Sequence, residues 1–166
     1  MYNEVEAQVT DVVLVLFLYK PNIKEVFVMS MEKFANHVIA VAQEKNMSIT
    51  NLQLQKVMYF VLKKAKENEI LTPEKLKEIY DDPFQVWAYG PVVRGQYNRF
   101  KNFGSSPIIG LFEKDSSLEK LNQTIMDYLG ENVFDLVRRS HEVEFWKNNK
   151  PTLGYRTSAE YELGDL

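Results

Sequence analysis

Three groupings of side chains in this sequence are of types that could do chemistry. His141 and Glu142 form the only histidine–carboxylate neighbour pair, Asp81 and Asp82 stand together, and His37 is the one other histidine. General acid–base or nucleophilic catalysis needs a base, an orienting group and a reacting partner converging on one point. Adjacent positions on a helix face about 100° apart, so His141 and Glu142 do not meet by local geometry. His141 reads instead as a histidine hydrogen-bonded into a partly polar core that Trp146 closes. Asp81-Asp82-Pro83 reads as a helix stop and turn. The two histidines are not spaced as HxxxH or HExxH, and the chain has no cysteine, so no metal site is expected. Phosphate-loop, dinucleotide and nucleophile-elbow motifs are absent as well. The sequence therefore predicts no catalytic residue, no cofactor and no metal: a binding protein, not an enzyme.

The strongest candidate for binding is the segment 84–103, FQVWAYGPVVRGQYNRFKNF. Arg94, Arg99 and Lys101 interleave there with Tyr97, Phe100 and Phe103, beside Trp87 and Tyr89. Cations beside rings suit nucleic acid, where phosphates and bases are the partners. They equally suit a protein interface, whose anchors are usually Trp, Tyr and Arg. The plain alternative is an amphipathic helix with Tyr97 and Phe100 inward and the charges solvated.

The elements that must position these residues follow from periodicity. Phe34, Val38, Val41 and Ala42 mark a helix beginning at Met31. Thr50-x-x-Gln53 reads as a capping box, opening a helix with Leu54, Val57, Met58, Val61, Leu62 and Ala65 on one face. Lys56, Lys63, Lys64 and Lys66 are expected mostly outside that face. Thr72-Pro73-Glu74 starts a short helix. Phe84, Val86 and Ala88 alternate with polar or aromatic residues, which predicts a short strand. Gly90-Pro91 is expected to break it, with helix resuming over 93–102. Ser116-x-x-Glu119 is a second capping box, with Leu118, Leu121, Ile125, Tyr128 and Leu129 inward and Gly130 as the stop. A last helix over 132–143 is expected to carry Phe134, Val137 and His141 on one stripe. Residues 151–166 show no clear period and read as a fraying tail. The fold class is mainly α, with a minor β element near 84–89.

Composition bounds the class. The chain has 166 residues, 45% hydrophobic and 26% charged, which suits one globular domain. The net charge of −3 argues against a dedicated nucleic-acid binder. Lack of cysteine suits the cytoplasm. The apolar run 12–19, VVLVLFLY, is too short for a membrane span, and acidic residues precede it where a secretory signal is basic. Residues 1–30 are read as an extension: a translated leader before a start at Met29 or Met31, or a strand-forming appendage.

Three blocks in order resemble the Panacea-domain antitoxins, the SocA-like or GepA-like phage-associated proteins. Residues 49–60, ITNLQLQKVMYF, are similar to that family's T-x-x-K-L-Q-K-L-x-Y helix. VWAYGPVV at 86–93, followed by Tyr97, Phe100 and Lys101, is similar to its E-A-W-x-x-G-P-V-x-x-x-x-Y-x-x-F-K signature. Ser140-His141-Glu142 with Trp146 resembles a T-H-E…P-W block. The likeness covers about residues 31–150, with departures at Val86, Arg94, Ser140 and Phe145. It implies an antitoxin that neutralises a cognate protein toxin by direct binding, or delivers it to a cellular protease, without chemistry of its own. A phage or mobile-element DNA-binding regulator is the alternative, with the Thr50-capped helix or residues 94–101 as reader. Carried over as interaction or family-motif positions are Lys56, Trp87, Tyr89, Gly90, Pro91, Tyr97, His141 and Glu142; Arg94, Arg99 and Trp146 join them from the residue patterns.

Overall fold

The computed structural model describes residues 30–166; the expectations for the apolar run and the leader lie outside the described residues. Seven α-helices and a three-stranded antiparallel sheet occur among them, so the chain is mainly α with a minor β element. In chain order the elements are α1 Met31–Glu44, α2 Asn51–Glu67, α3 Pro73–Ile79, β1 Phe84–Trp87, β2 Gly90–Val93, α4 Arg94–Phe100, α5 Asn122–Leu129, α6 Val133–Ser140, α7 Glu144–Asn149 and β3 Arg156–Glu160. No described helix is long and apolar enough to cross a membrane.

The second helix is the axle of the fold. Every residue from Leu54 to Leu62 is buried, and α1, α3, α4, α5, α6 and β2 all pack against it. A helix apolar nearly all round can be stable only in that central position. Thr50 caps it as expected, its hydroxyl accepting the Gln53 N–H at 3.2 Å. The second half of the expected capping box does not form, because the Gln53 amide instead donates to the Leu129 carbonyl and ties α2 to α5. Lys56 departs from expectation more sharply. It is fully buried, since the helix is covered on the side where its lysine was expected to meet solvent.

Asp81 and Asp82 do structural work on two helices. The Asp81 carboxylate accepts the Met31 N–H at 2.7 Å, satisfying the start of α1, where Ser30 also accepts from Lys33. Asp82 accepts the Gly95 N–H at the start of α4, which has no cap of its own from Val93. Carboxylates at helix starts meet free N–H groups and the positive end of the helix dipole. Burial nonetheless pushes the Asp82 carboxyl above its ordinary pKa.

Gly90-Pro91 does not end the β element; it begins β2. The chain turns through Ala88 and Tyr89, with Trp87 opposite Gly90 and Val86 opposite Pro91. Gly90 takes φ +91°, a left-handed conformation that glycine adopts freely. Pro91 is tolerated because β2 is an edge strand of the order β2-β1-β3, where a missing N–H breaks no ladder.

The expected fraying tail is integral to the sheet. Its strand β3 pairs antiparallel with β1, matching Gln85 with Glu160 and Trp87 with Arg156. Tyr161 and Leu166 are buried in the core, and Lys66 holds the Gly164 and Leu166 carbonyls. Two further starts differ in detail. Asp115 rather than Ser116 caps the next segment, which runs as 3₁₀ turns over Ser116–Leu121 before α5. Leu118, Leu121, Ile125, Tyr128 and Leu129 are inward as the period requires. Asn132 caps α6, which ends at Ser140, and Phe134 on that helix faces out, 63% exposed.

Candidate functional site: an aromatic cleft at the hairpin

One open cleft of about 930 Å³ lies where the β1–β2 turn, the start of α2, α4, the start of α6 and residues 153–156 meet. Six large hydrophobic side chains are exposed among the described residues. Four of them, Tyr89, Phe134, Leu153 and Tyr155, line this cleft. Solvated apolar side chains scattered singly need no explanation, but their concentration in one concave site makes this cleft the candidate site.

Trp87 and Tyr97 form its floor, packed edge to face with ring centroids 4.8 Å apart. The Arg156 guanidinium lies over both rings, 4.1 Å from the Trp87 centroid and 5.2 Å from that of Tyr97. Cation–π contact of this kind fixes an otherwise mobile arginine. Register explains it, because Arg156 is the direct partner of Trp87 across β1 and β3. The Trp87 indole N–H donates to Gln85 at 3.3 Å, and its carbonyl accepts from the Trp146 indole at 3.0 Å.

Beneath the floor a polar clamp holds the hairpin backbone to α2. Asn51 donates to the Tyr97 carbonyl at 3.1 Å, and Gln55 accepts the Val93 N–H at 2.8 Å while donating to Asn51. The Lys56 amine donates to the Pro91 carbonyl. Burial lowers the pKa of Lys56 well below the ordinary lysine value. Gly90 is fixed from this side too: a Cβ there would stand 2.2 Å from the Ser140 hydroxyl and 3.0 Å from the Lys56 amine. The three sequence blocks thus touch each other. The α2 block holds the GPVV strand, and Ser140 of the third block closes over Gly90.

The expected site residues separate into two groups. Tyr89 and Tyr97 line the cleft, and Trp87 does so while 6% exposed. Lys56, Gly90 and Pro91 are buried supports of the turn. His141 stacks on Trp146 at 3.7 Å, and both lie behind the floor, outside the cleft lining. Burial lowers the His141 pKa, the neighbouring Lys56 lowers it further, and a hydrogen bond with the Ala88 backbone acts in the opposite direction. The expected satisfied core histidine is only partly realised, since its Nε2 is buried without a partner. Arg94 and Glu142 are exposed and outside the lining, and Arg99 turns to Glu32 at 3.7 Å and to the Phe100 ring. The aromatic-basic segment therefore does not present one face: Tyr97 and Lys101 meet the cleft, while Arg99 serves α1.

Phe134, Leu153, Tyr155 and Arg156 are site residues that periodicity missed. Phe134 fell on an apparent apolar stripe. Residues 156–161 do carry a signal, because Thr157, Ala159 and Tyr161 alternate with Arg156, Ser158 and Glu160 in the period of a strand.

The other histidine has a structural role. His37 is fully buried; its Nδ1 accepts the Asp115 N–H at 3.0 Å, so Nε2 carries the proton donated to Asn122 at 2.8 Å. No group of three or more His, Asp or Glu placed to hold a metal ion occurs among the described residues. Every residue of α2 from Leu54 to Leu62 is buried, so that stretch of the Thr50-capped helix has no free face to enter a DNA groove.

Comparison with known proteins gives no match: no family model, no curated protein and no solved structure is significantly similar to this chain.

Proposed function

We propose that this chain is a protein-binding module of the antitoxin class, which neutralises a cognate toxin by seating part of it in the aromatic cleft. The observation that carries this reading is the gathering of Tyr89, Phe134, Leu153 and Tyr155 around the Trp87–Tyr97 floor. Rigid aromatic anchors in a concave apolar site are the usual origin of interface affinity. The antitoxin assignment comes from the three-block resemblance, whose residues build or support this same cleft. Beneath the cleft the Asn51, Gln55 and Lys56 side chains are committed to holding backbone.

Co-expression with the product of the adjacent gene tests the reading. Growth arrested by that product alone is restored by the native chain. The exposed-residue variants Phe134→Ser and Tyr155→Ser lose the rescue while their thermal unfolding stays near native. Full rescue by both variants, or a neighbouring product without toxicity, overturns it.

A further inference from the structure

The cleft has a charge pattern that narrows its partner. Its lining includes Lys101 and Arg156 and no carboxylate, in a chain with 23 acidic residues against 20 basic ones. Neither cation is ion-paired with a carboxylate among the described residues. This apolar cleft with its exposed rings has no acidic side chain in its lining.

Arg156 is also pre-set for an anion. The Trp87 and Tyr97 rings hold the guanidinium in place through the cation–π contacts described above. A guanidinium is the natural seat for a carboxylate bound through two parallel hydrogen bonds, and that of Arg156 has no carboxylate partner among the described residues. Holding the group beforehand reduces the side-chain entropy lost on binding. Beside it, β3 begins as an edge strand of the sheet, so an incoming backbone has a strand to run along.

We propose that the cleft takes an extended acidic–apolar segment of a partner protein. An aromatic or aliphatic side chain sits among Tyr89, Phe134 and Tyr155, and a neighbouring Asp or Glu carboxylate bridges to Arg156 and Lys101. The proposal rests on the reading of the cleft as a protein-binding surface and specifies what that surface recognises. Nucleic acid is the poorer occupant on the same observations. Two cations neutralise few phosphates, and Arg156 already covers the Trp87 ring on which a base would stack.

The test uses the full chain and three labelled random copolymers, poly(Glu,Tyr), poly(Glu) and poly(Lys,Tyr), with binding read by fluorescence anisotropy. Poly(Glu,Tyr) is expected to bind at least tenfold more tightly than either other polymer, and to weaken with salt. Arg156→Gln with Lys101→Gln is expected to reduce that binding at least tenfold, and Phe134→Ser to reduce it similarly, each variant being checked for native unfolding behaviour. Should the double variant unfold, Lys101→Gln alone carries the test, with a threefold or greater loss expected. Equal binding of poly(Lys,Tyr), native-like binding by the folded charge variants, or displacement of poly(Glu,Tyr) by single-stranded DNA overturns the proposal. If binding and toxin rescue need Phe134 but ignore both cations, the acidic preference is wrong and the protein-binding cleft stands. If neither depends on Phe134, the underlying reading falls with it.

Discussion

Replacing Lys56 with methionine should change the pH dependence of stability more than stability itself. Lys56 has no exposed surface, no ion pair with a carboxylate among the described residues, and one hydrogen-bond partner, the Pro91 carbonyl. An uncompensated buried ammonium is costly, so burial lowers its pKa well below the ordinary value. In the unfolded chain the amine titrates near ~10.4. Between the lowered folded value and that unfolded value, the native state binds one proton fewer. Stability then rises with pH by about 1.4 kcal/mol per unit, and falls by the same slope as pH drops toward the folded pKa. Two pH units inside this window change the folding free energy by about 2.7 kcal/mol.

Methionine keeps the length and apolar stem and removes the proton. It also leaves the Pro91 carbonyl unpaired, at a cost of about 1–3 kcal/mol. Urea denaturation of both proteins followed by circular dichroism at pH 7, 8 and 9 isolates the effect, because groups that do not interact with Lys56 cancel in the difference, and the coupled His141, held below its ordinary pKa, is largely neutral over this range. Above the folded pKa of Lys56 the native protein is expected to gain on Lys56→Met as pH rises, with a limiting slope of about 1.4 kcal/mol per pH unit. The variant is the less stable at pH 9, and the gap closes or reverses toward pH 7. A difference that stays constant from pH 7 to 9 refutes the argument, since it would mean that Lys56 remains charged in the fold.

The other predictions concern the joints around the cleft. Gly90→Ala should lose about 2–4 kcal/mol, from the left-handed backbone and from overpacking against the Ser140 hydroxyl; adding Ser140→Ala should recover part, measured by thermal unfolding. Trp87→Ala should unfold the domain by about 3–5 kcal/mol rather than act as a clean interface variant, because that ring is 6% exposed. Asp81→Ala should cost about 0.5–2 kcal/mol by freeing the Met31 N–H, with amide exchange quickening first in α1. Truncation after Lys150 should abolish cooperative unfolding, since it removes β3, Tyr161 and Leu166 together.

What the sequence decided alone is what local rules govern. The cap residues Thr50, Thr72 and Asn132 start helices where they stand, and the apolar periods of α1, α2 and α5 pick out buried side chains. Hydroxyl and amide caps act within three residues, and a stripe is a property of one helix. Tertiary structure decided the rest. Lys56 is buried because neighbours cover the middle of α2, from Leu54 to Leu62, on every side, which its own period cannot report. Gly90-Pro91 starts a strand because β1 lies beside it. The tail becomes β3 because its pairing partner lies about seventy residues earlier in the chain. The cleft itself joins Trp87, Tyr97, Phe134 and Arg156 from four segments. The rings of the 84–103 segment were legible in order, but a site is a meeting of surfaces, and only long-range contacts bring Arg156 over Trp87.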